Sequence, residues 1–213
     1  MKNLVTMLVV FLSLIIVIPV SAQSKKEIQK ELKEKASKDA RKQAKRLKKD
    51  GFTVAPGQLP MDKQIESTMI KRFESDDEGN KLWFVSDARA VGETHSAAKM
   101  QAYEVAKLSM AGQIGTEVKG LMETTIANSQ LDAVAAESIT QTIASAQSIV
   151  AARIGRTTTL FEADRRVGTN TEIYVTVGYS YNDAMNLAKD IIGKELKEKA
   201  EIQAKDLEQI LDF

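Results

Sequence analysis

The chain has 213 residues, with 30 Lys and Arg, 29 Asp and Glu and a single His, so its formal net charge at pH 7 is +1. This balance argues against a dedicated nucleic-acid binder, and a hydrophobic fraction of 43% is typical of a globular rather than a disordered chain. The absence of cysteine excludes disulfides, cysteine–metal sites and the lipid attachment of a bacterial lipoprotein.

Residues 1–22 have the pattern of a secretory signal peptide. One charged residue, Lys2, precedes an uncharged apolar run from Leu4 to Val20, and the small residue Ala22 suits a cleavage site. An uncleaved membrane anchor is the alternative, but the run is slightly short for a span of roughly 20 residues. We therefore predict export, to the periplasm or to the outer membrane without a lipid anchor, of a mature chain long enough for one domain with appended elements.

Residues 23–51 are predicted to form a basic helical arm. Twelve Lys or Arg and five Asp or Glu lie between Ser24 and Asp50, and the first Gly or Pro is Gly51. Two interpretations remain open: a solvated helix docked lightly on its own domain or a neighbour, or an arm attracted to anionic lipid or cell-wall polymer. The apolar residues of this helix form a narrow stripe: Ile28, Leu32, Ala36, Ala40, Ala44 and Leu47.

Residues 52–80 are predicted to be a linker segment with a short helix. An extended piece, 52–57, ends in a Pro-Gly turn. The helix spans Leu59 to Phe73, and its apolar side carries Ile65, Met69, Ile70 and Phe73. The acidic turn from Ser75 to Asn80 lacks the alternating ligands and distal Glu of an EF-hand, which disfavours a calcium loop.

Residues 81–192 are predicted to form the α+β core. A strand from Lys81 to Gly92 precedes a long helix from about Ser96 to Asn128 and a second helix over residues 131–153. The long helix has an apolar residue at every fourth position, which favours close packing: Ala98, Ala102, Ala106, Met110, Ile114 and Val118.

The period of the pattern changes to two after Gly155. Two strands, Arg156–Val167 and Thr171–Tyr179, are joined by a loop of hairpin length, and a last helix runs from Asn182 to Leu211 with residues 193–213 as an extension. The expected fold is a small antiparallel sheet of about three strands packed against long helices, with extended terminal helices. Those helices could pair with each other or with copies in a neighbouring subunit. The residues of the last helix expected to face inward include Ala184, Ala188, Ile191, Ile192 and Leu196.

The order of these elements and several apolar patterns resemble the LPP-twenty-like envelope lipoprotein family over roughly residues 82–192. The resemblance implies a small α+β domain with a structural or assembly role at the outer membrane, where some members are associated with flagellar basal structures. The patterns that carry it are Ala90-Val91-Gly92, the steps Ala98–Ala102–Ala106 and Ala111–Ile114–Val118, and Tyr174-Val175-Thr176-Val177.

The chain departs from that family because the lipid-bearing cysteine is missing. The segments before the core, Gly51–Pro60 and Leu59–Phe73 with the basic helix, are similar to a group of uncharacterised exported proteins of anaerobic Gram-negative bacteria. That similarity implies no activity.

Residues with chemical potential are few, and none forms a complete motif. His95 is the only histidine, too few for a zinc site without cysteine, and Gly112–Gly115 lacks the Lys-Ser/Thr ending of a P-loop. Glu162, Asp164 and Glu172 could pair for acid–base work, but carboxylates on solvent-facing strand positions are usual. We therefore predict no catalytic, cofactor-binding or metal-binding residues.

The aromatic residues near the predicted strands are expected to pack rather than to bind sugar. They are Trp83, Phe84, Phe161, Tyr174, Tyr179 and Tyr181. The leading hypothesis is a non-enzymatic envelope protein that acts by self-association, as a homo-oligomer, or by docking to an envelope partner. The alternative is a module that binds envelope glycan or anionic lipid through peripheral contact, and a hydrolase that uses His95 is a distant third.

Overall fold

The computed structural model describes residues 25–76, 78–128, 137, 141, 149–150 and 153–199. The predicted leader, most of the predicted helix over 131–153 and the last helix beyond residue 199 lie outside these ranges. The described part is an α+β fold, as predicted, with four helices and three strands. Their bounds are α1 Lys25–Lys49, α2 Met61–Phe73, β1 Trp83–Gly92, α3 His95–Asn128, β2 Thr158–Val167, β3 Asn170–Ser180 and α4 Tyr181–Lys199.

The three strands form one antiparallel sheet in the order β1-β3-β2. A tight turn at Gly168 and Thr169 joins β2 to β3, and Gly168 takes a positive φ of 60°, which a residue without Cβ adopts at little cost. In the central strand, Tyr174 pairs with Arg89 of β1 on one side and with Ala163 of β2 on the other. A register shift between Thr159 and Phe161 marks a bulge in β2.

The inner face of the sheet packs against α3 and α4 to form the larger hydrophobic cluster. Alternation along β1 and β3 sends small and branched side chains to this face, and the predicted four-residue repeat of α3 is buried against them. Because the first three residues of the repeat are alanine, the axis of this part of the helix comes close to the strands. The buried residues are Ala88, Ala90, Ile173, Val175 and Val177 of the sheet and Ala98, Ala102, Ala106, Met110, Ile114 and Val118 of α3.

The outer face of the sheet is covered in part by α2, and α1 lies on α2. A second, smaller cluster joins these elements: Ala40, Ala44, Leu47, Phe52, Met61, Ile65, Phe161 and Ala163. The predicted apolar side of α2 is partly wrong, because Phe73 is 63% exposed whereas Gln64 and Thr68 are buried. Both polar side chains meet backbone partners: Gln64 Nε2 donates to the Leu59 carbonyl at 2.8 Å, and Thr68 Oγ1 donates to the Gln64 carbonyl at 2.9 Å.

The outer edge of β2 is covered by residues from the N-terminal part of the chain. Thr53 and Asp164 exchange two backbone hydrogen bonds of 2.8 and 2.9 Å, and the Glu162 amide donates to Gln64 Oε1 at 3.2 Å. These contacts satisfy backbone groups of β2 that would otherwise face water. Among the described residues, no helix combines the length and the hydropathy needed to cross a membrane.

Candidate functional site

A groove of about 540 Å³ lies between α1, α2 and the outer face of the sheet. Its walls are apolar and aromatic, and charged side chains stand at its rim, a combination common in binding sites. The lining residues are Leu32, Lys35, Ala36, Asp39 and Gln43 of α1, Ile65, Thr68, Met69, Arg72 and Phe73 of α2, and Asp87, Phe161, Tyr174 and Thr176 of the sheet.

The groove is opened by the unequal lengths of the two helices on the outer face. α1 has 25 residues and α2 has 13, so at about 1.5 Å per residue α1 is nearly twice as long. The second half of α1 packs on α2 through Ala40 and Ala44, whereas its first turns extend past Phe73 at the end of α2. The side chains at this end, Ile28 and Phe73, are therefore exposed.

The floor of the groove is built around the ring of Tyr174. Phe161 and Phe52 meet that ring edge-on, with centroid distances of 5.1 and 6.3 Å, and the Arg89 guanidinium lies 4.3 Å from its centroid. Burial raises the pKa of the Tyr174 hydroxyl, and the charge of Asp87 adds to the effect. Packed partners surround the ring, so this aromatic cluster fits the expected packing role better than a sugar-stacking surface.

Charged residues of the outer face are paired with one another. Arg72 of α2 forms an ion pair with Asp87 of β1, and Thr176 Oγ1 lies 3.4 Å from the same carboxylate oxygen. Nearer the hairpin, Arg165 Nε donates to Glu172 Oε2 at 2.6 Å. The first pair fixes α2 on β1, and the second joins β2 to β3.

A second polar cluster lies on the inner face, where side chains of α3 reach β2. Glu162 accepts hydrogen bonds from Lys99 Nζ at 2.7 Å and from the Tyr103 hydroxyl at 2.8 Å, and that hydroxyl lies 2.6 Å from Thr159 Oγ1. Burial raises the pKa of Tyr103 to about 12, and the adjacent Glu162 carboxylate contributes. The cluster joins a helix to an edge strand and keeps the tyrosine protonated.

The three carboxylates considered for acid–base work are divided between the two faces of the sheet, with Glu162 and Asp164 on the inner face and Glu172 on the outer face. Glu162 faces α3 on the inner side, whereas Glu172 pairs with Arg165 on the outer side. His95 is exposed at the first position of α3, where the neighbouring Thr94 caps the helix by accepting a 3.1 Å bond from the Ala97 amide.

Two other motifs from the sequence, the glycine-containing segment and the acidic turn, belong to a helix and to a hydrogen-bonded turn. The segment Gly112–Gly115 lies inside α3. In the acidic turn, the Asp76 carboxylate accepts 2.9 Å bonds from the amides of Glu78 and Asn80, which lowers the pKa of Asp76. In the part of the chain that the structure describes, no three His, Cys, Asp or Glu side chains converge as metal ligands.

The residues of the groove were not identified from the sequence as a site. Alternation in β1 predicts that Asp87 and Arg89 share a face, which is a usable signal. The ion pair of Asp87 with Arg72, fifteen residues earlier in the chain, depends on how α2 lies across the strands, which the pattern does not encode.

Comparison of the chain with protein-family models, with curated proteins and with solved structures found no match.

Proposed function

We propose that this chain is an exported, non-enzymatic protein of the bacterial envelope with a structural or assembly role. It acts by self-association or by docking to an outer-membrane complex. Export is inferred from the leader pattern of residues 1–22, and the role from the surfaces of the folded part.

The state of the polar side chains supports a non-catalytic role. The charged residues beside the groove and beneath α3 are engaged in pairs, such as Arg72 with Asp87 and Lys99 with Glu162. A general acid or base needs a free polar atom within hydrogen-bond reach of a substrate. In the described clusters those atoms are used to hold helices on strands.

The observation that carries the proposal is the open apolar groove next to exposed Phe73. An aromatic side chain that is 63% exposed at the mouth of an apolar groove is typical of a surface that a partner covers. The charged rim, with Lys35 and Asp39 on α1, provides polar contacts around an apolar centre, as protein interfaces do. We propose that a segment of an envelope partner protein occupies it.

The test compares two matched variants of the exported chain. Phe73→Ser removes the exposed aromatic at the groove, and Leu59→Ser removes an equally exposed residue, at 65%, before the other end of α2. We expect the mature chain to begin at Gln23 and to crosslink to a specific envelope component, a product lost in Phe73→Ser and retained in Leu59→Ser.

Two results would contradict the proposal. An uncut precursor in the cytoplasm would remove the basis for export. A mature chain that is monomeric by light scattering in every envelope fraction and crosslinks to no envelope protein would remove the structural role.

Binding of anionic lipid or cell-wall polymer is the alternative, and the first half of α1 favours it. Lys30 and Lys33 are exposed there, in a helix whose composition is strongly basic. Retention on anionic vesicles or peptidoglycan at low salt, lost at high salt and in the double variant Lys30→Gln with Lys33→Gln, would support it. The matched control is Lys71→Gln with Lys81→Gln, which removes the same charge from another surface.

A further inference from the structure

Among the described residues, the β2 edge of the sheet is covered more completely than the β1 edge. The edge of β2 is covered by Thr53 and Gln64. In β1, the bond from the Tyr181 amide to the Leu82 carbonyl shows that even-numbered residues bond to β3, so odd-numbered residues point their backbone groups outward. The outward N–H and C=O groups of Asp87, Arg89 and Val91 have no hydrogen-bond partner among the described residues.

An unpaired strand edge of this length is a template for another strand. The one side-chain cover on the described part of the β1 edge is Gln113 of α3, whose Nε2 lies 3.4 Å from the Val85 carbonyl. From there to the end of the strand at Gly92, no residue in the described ranges is hydrogen-bonded to this edge.

We propose that the partner is a second copy of this chain, and that two β1 strands pair antiparallel into one six-stranded sheet. The two-fold axis passes through Ala88, so that Asp87 of each copy faces Arg89 of the other. This inference rests on the proposed structural role and names the partner and the interface of its self-association.

Charge complementarity selects this register. With Ala88 on the axis, both cross-copy pairs of Asp87 and Arg89 are opposite in charge, and Val85 faces Val91. A shift that centres the pair on Asp87 places two carboxylates opposite each other, and a shift that centres it on Arg89 places two guanidinium groups together. Asp87 is ion-paired with Arg72 and the Arg89 guanidinium lies over the Tyr174 ring, but both residues remain exposed, so the cross-copy pairs would form beside these contacts.

The helix that packs on β1 is α3, and it has an apolar side chain level with Ala88. Ala98 contacts the end of β1 at Gly92, and Gln113 reaches Val85, so the residue midway between them, Val105, lies level with Ala88. Val105 precedes Gln113 by two steps of the four-residue repeat that is buried against the sheet, and therefore lies on the flank of α3 that faces the β1 edge. It is 44% exposed, and in the proposed pair it meets Val105 of the second copy near the axis.

The opposite flank of α3 supports this orientation. Lys99 and Tyr103 contact β2 through Glu162, so they mark the side of the helix that faces away from the β1 edge. Two copies of α3 would then run antiparallel across the axis at a distance suited to helix packing, about 8–10 Å.

The first experiment uses the mature chain, which has no cysteine of its own. Val105→Cys introduces a thiol beside the axis, and Met100→Cys introduces one at a still more exposed position of the same helix, 69% against 44%, that faces away from the strands. Mild oxidation is expected to give a disulfide-linked dimer for Val105→Cys and little or none for Met100→Cys.

The second experiment tests the register with two charge reversals, Asp87→Lys and Arg89→Glu, measured separately and mixed. Each variant alone places like charges opposite each other in both cross-copy pairs, so its dimer dissociation constant at low salt is expected to rise by roughly tenfold or more. A one-to-one mixture restores two opposite-charge pairs and is expected to return the constant close to that of the unmodified chain. A purely structural effect of either substitution would not be rescued by mixing.

The outcomes separate the interface from the wider role. A mature chain that self-associates without rescue on mixing and without crosslinking of Val105→Cys overturns the β1 interface and leaves self-association in place. A mature chain that is monomeric by light scattering overturns the self-association part, while docking to an envelope partner is judged by the Phe73→Ser comparison.

Discussion

A Cβ added to Gly92 would lie 2.7 Å from the backbone nitrogen of Ala98 and 3.1 Å from its Cα. Gly92 ends β1, and α3 begins three residues later at His95, so the chain reverses direction with backbone packed directly on backbone. The atoms that a larger residue would meet belong to the main chain of a helix and cannot rotate away. This contact holds α3 close to the strand along which it returns.

Gly92→Ala is therefore expected to lower the free energy of unfolding by about 1–3 kcal/mol. Urea denaturation followed by circular dichroism measures the change. Gly120→Ala is the control, since an added Cβ at this exposed helical position has no atom within 4 Å. There the better helix propensity of alanine should raise stability by up to about 1 kcal/mol. Equal effects at the two positions would show that the Gly92 contact is not tight.

Enlargement of the alanine stripe of α3 should also destabilise the fold. Ala106 is fully buried against the sheet, and Ala106→Leu is expected to cost roughly 1–3 kcal/mol because the close approach leaves no space for three more carbons. A leucine on the exposed side of the same helix, in Glu104→Leu, should change stability by less than about 0.5 kcal/mol. A thermal denaturation series distinguishes them, and a neutral Ala106→Leu would argue against close packing of α3.

Stability should fall in alkaline solution through Tyr103. Its pKa is about 12 in the folded chain against an ordinary value of 10.0, so the folded state keeps the proton to higher pH than the unfolded state. The stabilisation is complete below pH of about 10 and is lost as the pH rises toward 12. Urea midpoints measured across this interval should fall with rising pH, and the midpoints of Tyr103→Phe should fall less steeply.

Burial also raises the pKa of the other three tyrosines, Tyr174, Tyr179 and Tyr181, so part of the alkaline loss persists in Tyr103→Phe. Absorbance of tyrosinate during a pH titration gives an independent measure. If all four hydroxyls titrate together near pH 10 in the folded protein, the hydrogen-bonded cluster around Glu162 is not formed in solution.

Gln64 should contribute more to the stability of the fold than a glutamine on a short helix usually does. Its side chain accepts from the Glu162 amide and donates to the Leu59 carbonyl, so Gln64→Leu leaves two backbone groups without partners. The expected loss is about 1–3 kcal/mol, with faster hydrogen exchange at the Glu162 amide. Gln58→Leu, which removes a weaker 3.3 Å contact with Gln64, is the control and should cost little.

The helices and strands of the core were largely predictable because their signals are local. Ala98, Ala102 and Ala106 recur at helical spacing and are small, so burial against a close neighbour was the simplest prediction, and the structure confirms it. The alternation from Tyr174 to Val177 likewise fixed the central strand, because its period admits one inner and one outer face.

The outer layer was less predictable because it depends on contacts between distant elements. Polar residues such as Gln64 and Thr68 are buried in α2, since each finds a backbone partner, whereas the apolar Phe73 lies where α2 ends and only α1 continues. Hydrophobicity alone assigns these residues to the opposite environments. The groove follows from the relative lengths of α1 and α2 and from their placement on the sheet, neither of which is encoded in one segment.

The cover on β2 limits how far the proposed pairing through β1 could extend. Thr53 and Gln64 both precede β1 in the chain and occupy the other edge of the sheet. A sheet with one free edge forms a closed pair and stops, whereas a sheet free on both sides adds copies end to end into a growing fibre. In the intact chain, Thr53 and Gln64 therefore leave the proposed pair no second edge of this kind through which it could extend.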